Sequence, residues 1–167
     1  MATVGLAEPE YAWNKEDVMS QDVDINKLRK NLQTKVLEKQ KVDRNPFVQF
    51  QKWFDLVLAG DFIEPNAMNL ATISRDGEIS SRMVLLKTFD ETGFVFFTNY
   101  NSKKADDLQN TKKAALNFWW DKLDRQVRIS GKVGKISTSE SEKYFHTRPK
   151  GSQIGAVASQ QSQVIKS

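Results

Sequence analysis

A chain of 167 residues with 39% hydrophobic and 28% charged residues has room for one domain with a buried core, and a second domain of ordinary size would be cramped. It contains no cysteine and one histidine, His146, which excludes disulfides, thiolate nucleophiles and thiolate or histidine-rich metal centres. The formal charge of +4 is the balance of 25 basic residues interleaved with 21 acidic ones, a modest excess that suits a small phosphorylated ligand as well as a polynucleotide.

Residues 1–44 are polar and charge-mixed, and only INKLRKNLQTKVLEKQKVD carries a weak helical pattern; a mobile leader and a marginal helix are expected there. The start MATVGLAEPEYAW lacks the basic and apolar regions of a signal peptide, and no apolar run reaches membrane-spanning length, so a cytoplasmic protein without a membrane partner is expected. Residues 45–167 then read as one folded domain. In NPFVQFQKWFDLVLAGD, Asn45 can cap and Pro46 suits the first helical position. Phe47, Phe50, Phe54, Val57 and Leu58 recur at helical spacing and predict a core-packing helix that Gly60 ends.

From Ala67 the period switches. AMNLATIS, EISSRMVLLKTF, GFVFFTNY, AALNFWW and RQVRISGKVGKIS are rich in β-branched and aromatic residues and are separated by RDG, DETG and DKLD. They predict an antiparallel five-strand meander, with its surest hairpin at Asp76-Gly77 and with Gly131 and Gly134 as bends where the last strand curls round a small barrel. Two helices interrupt or follow it: Ser102 is a plausible cap for NSKKADDLQN, and Ser139 with Glu142 offers a capping box for SESEKYFHTRP, which Pro149 stops. The expected class is mainly β with flanking helices, built as a β-barrel.

Candidate chemistry sits on these elements. In SSRMVLLK, Ser81, Met83, Leu85 and Lys87 share one strand face and Arg82, Val84 and Leu86 the other, so each face of an apolar strand carries a cation. The ordinary reading of both is a snorkelling or ion-paired surface charge. Lys103 and Lys104 follow Ser102 at a helix start, where free N–H groups favour an anion, although paired lysines are commonly only solvated. Gln126, in RQVRIS, could meet the edge of a heterocycle or lie on a solvated face. Tyr144, Arg148 and Ser152 are spaced four apart, a trio suited to a phosphate monoester, with Pro149 requiring a turn among them. His146 points away from Tyr144 and reads as structural or exposed. No acid pair, nucleophile with base, or metal cluster stands out, so any hard chemistry would belong to an organic cofactor.

The blocks NAMNLATISRDGEISSRMVLLK, GFVFFTNYNSKKADDL, LDRQVRISGKV and YFHTRPKGSQIGAVASQQSQVI resemble, in order and spacing, those of the pyridoxine (pyridoxamine) 5′-phosphate oxidase family, from about Phe47 to Ile165. The resemblance implies an antiparallel FMN-binding split β-barrel and a homodimer with FMN at the subunit interface. Arg82, Met83, Val84 and Leu85 would hold flavin and phosphate, with Phe97, Thr98, Lys103 and Lys104 completing the phosphate cradle. Gln126 would reach the flavin ring system, and Gln161 and Ser162 would contact FMN. Lys87, Tyr144, Arg148 and Ser152 would take the substrate phosphate, with IGAVA packing between the two sites. The implied reaction oxidises pyridoxine or pyridoxamine 5′-phosphate to pyridoxal 5′-phosphate, a hydride equivalent passing to the flavin and dioxygen reoxidising it to give hydrogen peroxide.

Three departures from the family pattern bear on that reading. Lys103-Lys104 stands where the family usually has Arg-Lys, and lysine lacks the bidentate fork of arginine. The leader lacks a clear basic-and-tyrosine segment. The family continues past the SxQS block into strands carrying a tryptophan, an Arg-x-His pair and a final arginine, so the chain is expected to lack its share of those groups. Two other functions stay open: an FMN- or pyridoxal-phosphate-binding relative that turns over poorly, and, from a different class, a basic barrel that binds single-stranded nucleic acid.

Overall fold

The computed structural model describes residues 37–158 and 161–162. Most of the expected leader and marginal helix lies outside them; within them, Lys39–Lys41 form a 3₁₀ turn. Helix α1, Pro46–Leu58, begins as its sequence dictates: the Asn45 side chain accepts the Phe47 and Val48 N–H groups, and Pro46 occupies the first turn. Phe50 and Val57 are fully or nearly fully buried, and the Phe50 ring meets those of Phe54, Phe89, Phe94, Phe118 and Trp120 with centroids 4.7–5.7 Å apart. Leu58, expected in the same stripe, is 56% exposed. Each helical residue turns by about 100°, so Leu58 sits at the margin of the face centred on Phe50, Phe54 and Val57.

The sheet contains β1 (Ala67–Ile73), β2 (Ile79–Asp90), β3 (Gly93–Phe96), β4 (Lys113–Trp120) and β5 (Arg125–Lys132), all paired antiparallel. The Asp76-Gly77 hairpin forms as expected, with Ile73 opposite Ile79 and Gly77 at φ 88°, a conformation open to glycine at little cost. The expected simple meander does not form. The strand order is β3-β2-β1-β4-β5, because helix α2 (Lys103–Thr111) carries the chain from the β3 edge to the far side of β1. Ala105 and Leu108 bury the inner side of that crossover. The β5 ladder ends at Lys132 with Gly131 opposite Ala114, so Gly134 lies beyond the strand.

Alternation sorts the sheet residues. Met68, Leu70, Leu116, Phe118 and Trp120 form the core face with Leu86, and the Trp120 indole N–H is paired with the Pro65 carbonyl at 3.1 Å. The opposite face carries Asn69 in register with Met83 and Asn117, and Asn117 with Arg128. Met83 and Trp119 on that face are 62% and 58% exposed.

Helix α3, Thr138–Thr147, starts two residues earlier than expected. Its capping box is Ser137 with Glu140, since STSESE contains the pattern in two overlapping registers and the earlier one lengthens the helix. Arg148 is extended (ψ 148°), as a residue before proline should be, and α4, Lys150–Ala158, follows Pro149. Among the described residues no helix is long and apolar enough to cross a membrane.

Candidate active site

Strand β2, the segment after β3, the start of α2 and the α3–α4 turn enclose a cleft of about 2130 Å³. The alternation along β2 holds as far as Leu86 and then breaks: Leu86 pairs with Phe96 but Thr88 with Val95, leaving Lys87 as an extra residue at a bulge. Bulges re-aim side chains, and this one places the Lys87 ammonium 5.8 Å from the centroid of the Tyr144 ring. Tyr144 in turn stacks on Phe97, with centroids 3.7 Å apart. Arg148 and Ser152 line the same cleft, so two helices and a proline turn bring together the four residues read as a phosphate-binding set.

A second polar group lies at the α2 end. Met83, Val84, Leu85, Phe97, Thr98 and Lys104 all line the cleft, as does Gln161. The Lys104 ammonium donates to Gln161 Oε1 at 2.7 Å and Ser102 Oγ at 3.2 Å, both neutral. Its pKa is held below the usual lysine value, first by burial and second by the charge of Arg82 nearby. Arg82 projects from the core face of β2 and donates to Thr72 Oγ1 at 2.7 Å and Ser80 Oγ at 2.6 Å. Among the described residues neither cation is ion-paired with a carboxylate. Two adjacent cations without such a partner mark a place for an anion.

Arg82 itself is not among the residues lining the cleft, and other expected residues lie apart from it too. Lys103 is exposed and sits 3.4 Å from Glu78. Gln126 is exposed on the outward face of β5, opposite Trp119, and Ser162 has φ 66° outside the lining. His146 is exposed and makes an edge contact with Phe145. Of the IGAVA run, Gly155, Ala156 and Val157 line the cleft, while Ile154 and Val157 are 69% and 80% exposed. Helix α4 buries no residue, so its apolar side is left uncovered within the described chain.

Three polar residues around Arg82 escaped the sequence reading: Thr72, Ser80 and the buried Asp107. The hairpin register could have found the first two, since Thr72 lies opposite Ser80. Among the described residues, the buried Thr98 Oγ1 in the wall of the cleft has no hydrogen-bond partner, and a bound polar group could supply one. Among the described residues no cluster of metal-ligating side chains occurs.

Fold and site together define a class: a curled antiparallel sheet flanked by helices, with a cleft that offers two cationic stations separated by apolar strand and aromatic surface. A family model described as pyridoxamine 5′-phosphate oxidase matches residues 59–167. The chain is 56% identical over 146 residues to a pyridoxine/pyridoxamine 5′-phosphate oxidase of Nostoc punctiforme, covering 87% of this chain and 68% of that protein. It is 55% identical over 143 residues to the chloroplastic pyridoxine/pyridoxamine 5′-phosphate oxidase 1 of Arabidopsis thaliana, covering 86% of this chain and 27% of that one. Among solved structures, PhzG from Burkholderia lata 383, in complex with tetrahydrophenazine-1-carboxylic acid, superposes with a TM-score of 0.75 at 28% identity over 80% of this chain and 67% of that one. The chain belongs to the pyridoxamine 5′-phosphate oxidase family.

Proposed function

We propose that this protein is an FMN-dependent oxidase that converts pyridoxine 5′-phosphate or pyridoxamine 5′-phosphate to pyridoxal 5′-phosphate with dioxygen as acceptor. The observation that carries this reading is the joining, in one cleft, of Lys104, with the charge of Arg82 close by, and the Lys87, Tyr144, Arg148 and Ser152 set. Two phosphorylated molecules, a cofactor and a substrate, match two such stations. FMN, when bound, supplies the redox chemistry by accepting a hydride equivalent from the substrate.

The residues fit that cofactor. Arg82 and Lys104 would hold its phosphate, and the orphaned Thr98 hydroxyl would gain a partner there. Met83 and Leu85 offer apolar surface to a flat ring, and Gln161, already within 2.7 Å of Lys104, would close the cradle. Lys103, paired with Glu78 at the surface, would contribute only general positive charge.

At the other station, Arg148 offers a planar fork and Lys87 a point charge to a phosphate monoester, with hydroxyls from Tyr144 and Ser152. Their role is positional: fixing the phosphate fixes the carbon to be oxidised, and orientation of this kind lowers the barrier without a proton-transfer dyad. Gln126, Met83 and Trp119 share the outward sheet face, which would meet a second copy of the chain; a homodimer would bring Gln126 to a flavin held by its partner.

The test is direct. Purified chain loaded with FMN and supplied with pyridoxine 5′-phosphate in air should form pyridoxal 5′-phosphate and hydrogen peroxide in equal amounts. Protein that retains no FMN, or retains it and forms no aldehyde from either substrate, would contradict the proposal.

A further inference from the structure

The Arg82 guanidinium donates to the Thr72 and Ser80 hydroxyls and, at 3.3 Å each, to the Leu70 and Ser80 carbonyls, and a buried carboxylate stands behind the two hydroxyls. Asp107, on the second turn of α2, is 2% exposed. Its Oδ2 accepts from Thr72 Oγ1 at 2.7 Å and from Ser80 Oγ at 3.4 Å. The same two hydroxyls accept from Arg82, Nη1 reaching Thr72 and Nη2 reaching Ser80. A guanidinium can only donate and an ionised carboxylate only accept, so each hydroxyl, with one proton and two lone pairs, must direct its proton toward Asp107. The polarity is thereby fixed from Arg82 through the hydroxyls to the carboxylate, with a charge at each end.

The geometry also suits arginine in particular. Thr72 and Ser80 are cross-strand partners whose oxygens lie 3.3 Å apart, and separate nitrogens of one planar fork reach them. Asp107 follows Lys104 by three residues, one turn along α2, so the same carboxylate ties that helix to the β1–β2 hairpin beside Lys104. Without a counter-charge, the repulsion between Lys104 and Arg82 would favour swinging the guanidinium away.

We infer that Asp107 is a positioning residue of the anion site: acting through Thr72 and Ser80, it holds the Arg82 guanidinium beside Lys104, so that the cation pair is formed before the phosphate arrives. The inference rests on the reading of Arg82 and Lys104 as the FMN phosphate site. It assigns Asp107, Thr72 and Ser80 no contact with FMN. Their effect is on phosphate affinity specifically, because the apolar surface that would meet the ring lies elsewhere on β2.

Comparing FMN with riboflavin isolates the phosphate. Both are titrated by flavin fluorescence into the full chain and into Thr72→Val, Thr72→Ser, Asp107→Asn and Arg82→Met. Thr72→Val and Asp107→Asn should raise the Kd for FMN roughly tenfold and leave that for riboflavin within about twofold, as expected for loosening a hydrogen bond to a charged group. Thr72→Ser, which keeps the hydroxyl, should match the parent. An unchanged FMN-to-riboflavin ratio in Thr72→Val, or equal weakening of both ligands, would overturn the inference while Arg82→Met still raised the ratio. Should Asp107→Asn fail to fold, Thr72→Val against Thr72→Ser decides alone. An unchanged ratio in Arg82→Met would overturn the placement of the phosphate at Arg82, and the inference with it.

Discussion

The rings of Phe97 and Tyr144 stack with centroids 3.7 Å apart and planes 8° from parallel, joining the segment just after β3 to helix α3. Phe97 belongs to the proposed cofactor wall and Tyr144 to the proposed substrate set, so one contact links the two stations. Tyr144→Phe keeps the stack and removes the hydroxyl; it should raise KM for pyridoxine 5′-phosphate about tenfold with little change in kcat, as for loss of one hydrogen bond to a charged group. Tyr144→Ala should also weaken FMN binding, because Phe97 loses its packing partner. Steady-state kinetics and a flavin titration on both variants check this.

As a proposed ligand of the cofactor phosphate, Lys104 should make cofactor binding sensitive to alkaline pH. Its pKa lies below 10.5 because burial and Arg82 disfavour the charged form, whereas a bound phosphate favours that form. FMN affinity should therefore fall as pH rises through the lowered Lys104 value, and Lys104→Met should remove that fall. In the free protein the sign is reversed: the folded state gives up this proton before the unfolded state does, so this group's contribution to stability rises with pH over the window below 10.5. Flavin titrations at several pH values, paired with thermal melts of the free chain, separate the two effects.

The Ser137–Glu140 capping box holds the start of α3, the helix that carries Tyr144. Glu140 has its pKa lowered from 4.5 by hydrogen bonds from the Ser137 side chain and backbone, so its contribution is present above 4.5 and is lost as pH falls through the folded value. Ser137→Ala should lower the thermal midpoint by a few degrees near neutral pH and flatten its acid dependence, leaving the fold intact. Melting curves from neutral to acid pH give both results.

Phe50 is the hub of the aromatic core, 3% exposed and in ring contact with five neighbours. Phe50→Ala should cost about 3–5 kcal/mol of unfolding free energy by denaturant titration. Val48→Ala, on the exposed side of the same helix, should change it by less than about 0.5 kcal/mol.

Local chemistry made much of this fold legible. Asn45-Pro46, Asp76-Gly77 and the alternation through LATIS and SSRMVLL each fix their own neighbourhood, and each formed where the residues indicated. The strand order was not legible, because whether β4 joins β3 or β1 depends on where a nine-residue helix packs, a long-range matter that no short pattern records. The helix register failed for a narrower reason: Ser137-Glu140 and Ser139-Glu142 satisfy the same rule, and only the observed start decides between them.

The site divides along similar lines. Lys87, Tyr144, Arg148 and Ser152 could be named from spacing and resemblance, yet the bulge that aims Lys87 at Tyr144 has no marker in SSRMVLLK. Asp107 was invisible as a functional candidate. In KKADDLQN it reads as a solvated helix charge, and only its burial against Thr72 and Ser80 reveals its tie to Arg82.

The most direct test of an oxidising cleft is the anaerobic half-reaction. Purified chain is loaded with FMN, freed of unbound flavin, sealed from air and mixed with pyridoxamine 5′-phosphate while the visible spectrum is followed. Bound FMN should bleach to the reduced form and recover its yellow colour when air is admitted. A spectrum that stays that of oxidised flavin throughout, with FMN demonstrably retained on the protein, would contradict the assignment of this cleft as an oxidase site.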